Sequence, residues 1–290
     1  MTMIKKIIKE ETAPGLSNIW ELNEVLFDSK TDYQEVVIGR GSHGITLFCG
    51  NERQSSELSQ QIYHEGQWFP AALLSESLSR VLIIGSSEGV ITQMAKASGA
   101  DNVVHVDIDE ECVRVCAKYL PYGYTEKDIE SHLQNREGVK LLFQDGFKYV
   151  DECLLNNEVF DVVVMDLPDE HVGNINAQQN RLYEKSFLEK ISKILSPKGV
   201  FITQAGCPTY WRNQSLRHAW ERMNLVFSGV AYFEMEEQNW SWIVGGNFIT
   251  TDVATQMIKK LDRLSFKPKF IDETAITRAT LLPISIRKNL

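Results

Sequence analysis

The stretch that decides the fold is RVLIIGSSEGVITQMAKASGADNVVHVDID, residues 80–109. An aliphatic run at 81–84 breaks into the turn GSSEG, continues with apolar residues at helical spacing, and ends in a second apolar run that closes on Asp107. This pattern predicts a strand, a helix and a second strand, with an acidic residue about twenty positions after a glycine-containing turn. Such a turn brings backbone N–H groups close to a ligand, and a carboxylate after the second strand accepts both hydroxyl protons of a ribose. The stretch therefore predicts a nucleoside site, although the glycines alone would equally fit an ordinary strand-to-helix turn.

The composition sets bounds on the class of protein. The chain has 290 residues, of which 43% are hydrophobic and 24% charged, enough for one large core and a smaller lobe. It has no long apolar run and no secretory segment near its start, so we expect a cytoplasmic protein with no membrane partner. Its net charge of −9 argues against nucleic acid as a partner. The five widely spaced cysteines predict buried thiols, and no metal site is expected.

The first part of the chain predicts a small antiparallel β domain. Short alternating runs punctuated by turn residues are typical of strands joined by hairpins, and they lie at 21–27, 34–39 and 44–49. Apolar and aromatic residues at helical spacing then predict a helix over 55–74 that is interrupted before Pro70. We therefore divide the chain into an N-terminal β-hairpin domain, residues 1–54, and a catalytic domain, residues 55–290.

The rest of the chain alternates between strands and helices. Strands are predicted at 139–143, 160–165 and 200–203, and helices at 110–120, 147–155 and 182–195. This order predicts a doubly wound, Rossmann-like α/β sheet, followed by a terminal hairpin (228–233 and 240–249) and a packed tail at 270–283. The carboxyl ends of such strands form one crevice. The polar residues expected to face it are Glu88, Asp107, Asp145, Asp166 and Gln204.

A series of motifs carries a family resemblance. In chain order they are Gln34, Gln54, YHE at 63–65, VLIIGSSEG, VDIDEE, QDGF, DLPD, LYEKSF and FITQAG. Together they resemble the spermidine synthase family of aminopropyltransferases, and several of them are closer to its thermospermine synthase branch. The resemblance implies a methyltransferase-type Rossmann-like fold and a homodimer formed through the N-terminal region. It also implies that an amine attacks decarboxylated S-adenosylmethionine beside its sulfonium and releases methylthioadenosine.

The resemblance also implies roles for single residues. Asp166 would be the catalytic residue that accepts the proton of the attacking amine. The acceptor would be held by Asp169, Tyr63 and Gln204, and by Glu236 in place of the family's usual wall. The donor would be bound at its ribose by Asp107, at its adenine by Asp145, at the amine of its transferred chain by Glu88, and elsewhere by Gln34, Gln54, His64, Gly85 and Gly146. On spacing alone, Tyr63, His64 and Glu65 fit a helix cap or packing residues of a helix better than a binding site.

Three departures from the family pattern leave the substrates open. Ser86 and Ser87 replace two glycines of the turn, Glu170 replaces a proline, and EMEE at 234–237 replaces an aromatic wall that grips a methylene chain. One alternative is a pathway-specific relative that transfers a 3-amino-3-carboxypropyl or methyl group from intact S-adenosylmethionine to a natural product or modified peptide. Another is a non-catalytic adenosyl-ligand-binding protein. The sequence does not name the acceptor.

Overall fold

The N-terminal part of the chain forms two antiparallel sheets. The structure is a computed structural model that describes residues 5–170 and 177–288. A two-stranded hairpin precedes a four-stranded sheet, and the strands are β1 (Lys6–Ala13), β2 (Leu16–Leu22), β3 (Glu24–Lys30), β4 (Glu35–Gly41), β5 (Gly44–Cys49) and β6 (Glu52–Ser56). The predicted domain boundary after residue 54 falls inside β6.

A seven-stranded sheet forms the centre of the larger part. Its strands are β7 (Arg80–Gly85), β8 (Asn102–Asp107), β9 (Val139–Phe143), β10 (Phe160–Asp166), β11 (Leu195–Gly206), β12 (Gly229–Met235) and β13 (Trp240–Gly246). They lie in the order β12-β13-β11-β10-β7-β8-β9, and β13 runs antiparallel to both of its neighbours. The order reverses between β7 and β10, which confirms the doubly wound prediction and puts the ligand crevice at the carboxyl ends of these two strands.

Helices cover the central sheet. They are α1 (Gln60–Leu74), α2 (Val90–Ala97), α3 (Glu110–Tyr119), α4 (Glu126–Leu133), α5 (Gly146–Leu155), α6 (Asn180–Tyr183), α7 (Lys185–Lys193), α8 (Gln214–Val226), α9 (Val253–Leu261), α10 (Glu273–Ala279) and α11 (Ile284–Arg287). Two large apolar clusters include opposite sets of β7 side chains, Val81 and Ile83 in one and Leu82 and Ile84 in the other. All five cysteines are buried free thiols, as the sequence predicts. Over the described ranges, none of the helices is long and apolar enough to cross a bilayer.

The predicted break in α1 is wrong. The helix continues through Pro70, and every residue from His64 to Leu74 is buried. A proline inside a helix deprives the carbonyl four residues earlier, here that of Gly66, of its partner and costs about 3 kcal/mol. Burial of Trp68, Phe69 and Leu73 in one apolar cluster contributes more than that amount at about 2 kcal/mol for each side chain.

The other differences concern extents. The predicted strand at 21–27 spans the end of β2 and the start of β3, and the hairpin formed by β1 and β2 was not predicted. The predicted helix at 182–195 consists of α6 and α7, which meet at Glu184. Helices α4, α8 and α9 were also missed, whereas the terminal hairpin is confirmed as β12 and β13.

A buried carboxylate joins α1 to the C-terminal tail. Glu65 is fully buried and accepts hydrogen bonds from the backbone N–H groups of Lys269, at 2.9 Å, and Phe270, at 2.7 Å. Gln61 Nε2 donates a further bond at 3.0 Å. Protein groups therefore supply the hydrogen bonds of this buried carboxylate, and these bonds fix the tail against the helix that carries Tyr63.

Candidate active site

The glycine turn lies where the strand order reverses. Gly85 pairs with Asp166 across β7 and β10, and its φ of +81° lies in the left-handed region. A Cβ atom at Gly85 would come within 2.2 Å of the Asp166 carbonyl oxygen, so only glycine fits. Gly89 has a φ of +75° and packs directly on the ring of Tyr124. Ser86 also adopts a left-handed φ, of +69°, so this turn keeps a glycine-like backbone where the sequence has serine.

A cavity of about 180 Å³ opens beside this turn, and we call it the turn cavity. Nine of the predicted site residues line it: Gln34, Gln54, Tyr63, Gly85, Glu88, Asp107, Asp145, Gly146 and Asp166. These residues come from both the N-terminal sheet and the central sheet. The structure thus brings together side chains that lie more than a hundred positions apart in the chain.

Asp107 is a buried carboxylate on the floor of the turn cavity. It is 5% exposed, accepts a hydrogen bond from Ser87 Oγ at 2.9 Å, and accepts another from the backbone N–H of Asp109 at 2.9 Å. Burial nevertheless raises the pKa of Asp107 to about 7. The replacement of glycine by serine at position 87 therefore provides a hydroxyl that holds this carboxylate.

Asp109 joins the N-terminal sheet to the cavity, a role that sequence reasoning missed. It caps α3 by accepting the Cys112 N–H at 3.0 Å, and its other oxygen accepts from Thr31 Oγ1 at 2.7 Å and from Gln34 Nε2 at 3.1 Å. The position of Gln34 over the cavity is fixed by these bonds. The signal for this role was the second acid of the VDID run, placed just before a predicted helix.

Asp145 has both oxygens engaged at the far end of the turn cavity. One oxygen caps α5 by accepting the Phe147 N–H at 2.9 Å, and the other accepts from Arg181 at 2.7 Å. Arg181 also lines the cavity and lies over the ring of Phe147. No local motif in the sequence marked Arg181 as a site residue.

Asp166 and Glu88 face the centre of the turn cavity. The Tyr63 hydroxyl donates a hydrogen bond to an Asp166 carboxylate oxygen at 3.0 Å. Burial raises the pKa of Asp166, and the nearby negative charge of Glu88 adds to the rise. Burial also raises the pKa of Glu88 itself. Two carboxyl groups are thus placed so that a cationic ligand between them would favour their charged forms.

A second cavity of about 640 Å³ lies under the N-terminal hairpin, and we call it the hairpin cavity. Asp169 lines it and accepts from Gln204 Nε2 at 2.6 Å, while Gln204 Oε1 accepts the Gly206 N–H at 2.9 Å. Burial raises the pKa of Asp169. The two cavities meet along a shared set of lining residues, Gln54, Tyr63, Leu167, Pro168 and Gln179. Asp166 and Asp169 therefore stand on the two sides of one junction.

The walls of the hairpin cavity carry aromatic, acidic and basic side chains, and the basic ones are Arg53 and Arg212. Trp211 and Trp240 line it, together with three glutamates of the N-terminal strands, Glu10, Glu11 and Glu52. The substitution at 234–237 had suggested that no aromatic wall was present. Trp240 and Trp211 provide aromatic surface from the start of β13 and from the loop after β11.

Two predicted site residues line neither cavity. His64 is buried behind Tyr63, and its Nδ1 lies 2.6 Å from the Gln60 carbonyl oxygen within α1. Glu236 lies on an exposed turn, where it forms an ion pair with Arg278. Their predicted contacts with the donor and the acceptor remain predictions.

Family-model and relative comparisons give a consistent result. Residues 60–236 match the model of the spermine/spermidine synthase domain. The chain is 34% identical over 199 residues to polyamine aminopropyltransferase 1 of Hyperthermus butylicus, an alignment that covers 67% of this chain and 65% of that protein. It is 29% identical over 267 residues to the polyamine aminopropyltransferase of Pyrobaculum calidifontis, with 91% of this chain and 86% of that protein covered.

Solved structures share the whole fold. A spermidine synthase in complex with the transition-state analogue AdoDATO superposes with a TM-score of 0.83 at 19% identity, covering 100% of this chain and 97% of that one. The spermidine synthase of Thermotoga maritima superposes with a TM-score of 0.80 at 18% identity, covering 100% and 96%. The small N-terminal β domain and the doubly wound sheet are therefore common to all three chains.

Proposed function

The chain belongs to the spermine/spermidine synthase family, and on that premise we propose that it transfers an aminopropyl group from decarboxylated S-adenosylmethionine to an amine acceptor. The observation that carries this proposal is the junction between the turn cavity and the hairpin cavity. Asp166 faces the first cavity, Asp169 faces the second, and Tyr63 lines both. A donor in one cavity and an acceptor in the other would meet at this junction.

The chemistry requires a neutral amine and good alignment. The sulfonium of the donor is already a good leaving group, so positioning contributes most of what the enzyme must add. A primary alkylamine has a pKa near 10.4, and removing its proton at pH 7 costs about 4–5 kcal/mol. We assign the proton acceptor to Asp166, whose raised pKa makes it a stronger base than an exposed carboxylate. The Tyr63 hydroxyl orients that carboxylate through their hydrogen bond.

The charges of the turn cavity support the decarboxylated donor. Glu88, Asp107, Asp109, Asp145 and Asp166 line it, while Arg181 is the sole cation among the lining residues that the structure describes and is already paired with Asp145. A donor that kept its carboxylate would bring a negative charge toward Glu88 without a free cation to receive it. We therefore assign the donor's ribose to Asp107, its adenine to the end that holds Asp145, and its amine to Glu88.

The hairpin cavity is proposed as the acceptor site. Among its described lining residues five acids outnumber two arginines, which suits a cationic amine, and Trp211 and Trp240 offer faces for a methylene chain. Asp169, held by Gln204, would receive an ammonium group close to the junction. Tyr63, near the start of α1, and Gln204, near the end of β11, would then also contact the acceptor.

We also propose a homodimer formed through the N-terminal hairpin. Ile7 and Ile19 point outward from β1 and β2, with 59% and 57% of their surface exposed. They are diagonal neighbours on one face of the hairpin, and adjoining exposed apolar side chains of this kind can form a patch that another chain covers. Light scattering on the purified protein should give twice the mass of 33.1 kDa, and a monomer at micromolar concentration would contradict the dimer.

Nucleoside product analysis tests the reaction. With decarboxylated S-adenosylmethionine and a panel of diamines and polyamines, we expect methylthioadenosine to accumulate together with an aminopropylated amine. With intact S-adenosylmethionine we expect neither methylthioadenosine nor S-adenosylhomocysteine. Methylthioadenosine formed from the intact donor would instead indicate transfer of an aminocarboxypropyl group, and S-adenosylhomocysteine would indicate methyl transfer.

A further inference from the structure

A buried histidine lies directly beneath the glycine turn. His105 is on β8, is fully buried, and is paired in the sheet with Ile83 of β7. Its Nε2 atom lies 2.7 Å from the carbonyl oxygen of Gly85. The ladder between β7 and β8 ends at Ile84 and Val106, so the Gly85 carbonyl lies just beyond the last strand pair and takes its hydrogen bond from a side chain.

The second ring nitrogen of His105 has a partner as well. His105 Nδ1 lies 2.8 Å from the hydroxyl of Tyr124, and Thr92 Oγ1 lies 3.4 Å from the same nitrogen. Because a carbonyl only accepts, the proton of a neutral imidazole must be on Nε2, and Nδ1 then accepts from Tyr124. Burial lowers the pKa of His105 to about 4, so the ring keeps this single proton throughout the neutral range.

Tyr124 supports the other end of the same turn. Its ring packs on Gly89, and its backbone N–H donates to the Glu88 carbonyl at 2.8 Å. The turn between Gly85 and Gly89 is thus held at its first carbonyl by His105 and at its last two residues by Tyr124. The three residues between the glycines are Ser86, Ser87 and Glu88, and all of them line the turn cavity.

We propose that His105 is a positioning residue for the donor. The Nε2–H group of His105 fixes the Gly85 carbonyl and thereby the left-handed turn that presents Ser87 and Glu88 to the ligand. The identity of the ligand as the aminopropyl donor rests on the proposed function, whereas the support of the turn by His105 does not. The reason a support is needed lies in the backbone, because Ser86 has a φ of +69°, which a residue other than glycine keeps only where surrounding contacts fix it. A turn free to relax would have to be ordered again each time the ligand binds.

The decisive variants separate the hydrogen bond from the packing. His105→Leu fills a similar space but leaves the buried Gly85 carbonyl without a donor. His105→Gln keeps an N–H donor at the end of the side chain and serves as the conservative variant. Tyr124→Phe keeps the ring on Gly89 and removes only the hydroxyl that donates a hydrogen bond to His105 Nδ1. His132→Leu is the matched control, since His132 is a buried histidine beside Tyr124 with no hydrogen bond to the turn.

The measurement is binding and turnover in parallel. Calorimetry with methylthioadenosine should show Kd raised about tenfold in His105→Leu and two- to fivefold in Tyr124→Phe, with His105→Gln close to the natural protein. In the turnover assay the KM for decarboxylated S-adenosylmethionine should rise by a similar factor, while the KM for the acceptor stays within twofold. His132→Leu should lower the thermal midpoint and leave both values unchanged.

Three results would overturn the proposal. They are an unchanged nucleoside Kd in a folded His105→Leu, an equal rise in the donor and acceptor KM values, and an effect of His132→Leu as large as that of His105→Leu. If His105→Leu does not fold, an unchanged Kd in Tyr124→Phe together with a tenfold loss in His105→Gln overturns it. Absence of turnover in the natural protein, with nucleoside binding intact, would count against the proposed function and leave the positioning role standing.

Discussion

Protonation of Asp107 should govern donor affinity near neutral pH. Burial raises its pKa to about 7 in the free protein, and only the ionised carboxylate accepts hydrogen bonds from both ribose hydroxyls. With a pKa of about 7, roughly a tenth of the molecules are ionised at pH 6 and nine tenths at pH 8. We therefore expect Kd for methylthioadenosine to fall about tenfold between pH 6 and pH 8.

The assay is calorimetry with methylthioadenosine, which keeps the ribose but lacks the aminopropyl chain and the sulfonium of the donor. Because binding favours the ionised form, about half a proton should leave the protein per ligand bound at pH 7. Titrations in two buffers with different ionisation enthalpies measure that number directly. Asp107→Asn should bind weakly and show no slope with pH, because an amide does not titrate.

Glu88 provides the control, since burial raises its pKa as well and it shares the cavity. Glu88→Gln should keep the full pH slope for methylthioadenosine, which has no amine for this side chain to bind. A Kd that stays flat from pH 6 to pH 8 in the natural protein would refute the reasoning. If the pH dependence of Kd survives in Asp107→Asn, or disappears in Glu88→Gln, the titrating group is not Asp107.

The remaining predictions concern the base and the turn. Asp166→Asn should lower kcat by about 10²–10⁴ with the donor Kd within twofold, and higher pH should restore part of the rate because more acceptor is neutral; near-normal turnover at neutral pH would assign the base to another group. Gly85→Ala should lower the free energy of unfolding by about 3 kcal/mol in urea titrations, because its φ is +81° and its new Cβ meets the Asp166 carbonyl. Gly50→Ala, with a φ of +57° and open space around it, should lose only about 1 kcal/mol, and equal losses at both positions would exclude the contact as the cause.

Local motifs made much of the lining of the turn cavity predictable. Gly85, Asp107 and Asp166 are the last residues of their strands, and Asp145 lies two positions after the end of β9. The alternation of strands with helices places such positions at one edge of the sheet. The pattern contains everything needed for that inference, because the register of parallel strands brings their carboxyl ends together. The fold class was predictable for the same reason.

Contacts between distant segments were not predictable. Arg181 reaches Asp145 from a helix of four residues, and no periodic pattern marks so short an element. His105 reads as one more residue of a buried strand, and its role appears only when Gly85 is placed above it. Glu236 was assigned to the acceptor from the motif it replaces, and the exposed turn that carries it depends on packing that the sequence does not show.

Conformation at single residues was also hidden from sequence reasoning. Serine at position 86 suggested that the family's glycine turn was altered, yet Ser86 has a φ of +69°, in the region that glycine usually occupies. Pro70 suggested the end of a helix, yet the burial of its neighbours keeps α1 intact. In both cases tertiary contacts outweigh a local preference of the residue.

The contact between Glu65 and the tail has a consequence for the order in which the chain folds during its synthesis. Glu65 and Lys269 are 204 residues apart, which a ribosome adding about 5–20 residues per second takes roughly 10–40 s to cover. During that interval the carboxylate has no tail N–H groups to accept from, and burying it in the core would be costly.

Helix α1 carries Tyr63, one of the residues that line both cavities, so we expect its position to become fixed only when the tail has left the ribosome. Every described residue that lines the two cavities lies at or before Trp240. A chain that ends shortly before Lys269 thus contains the complete set of lining side chains and still lacks the last donors that secure the helix between them. We therefore expect activity to depend on the segment at 269–270, far along the sequence from the proposed catalytic groups.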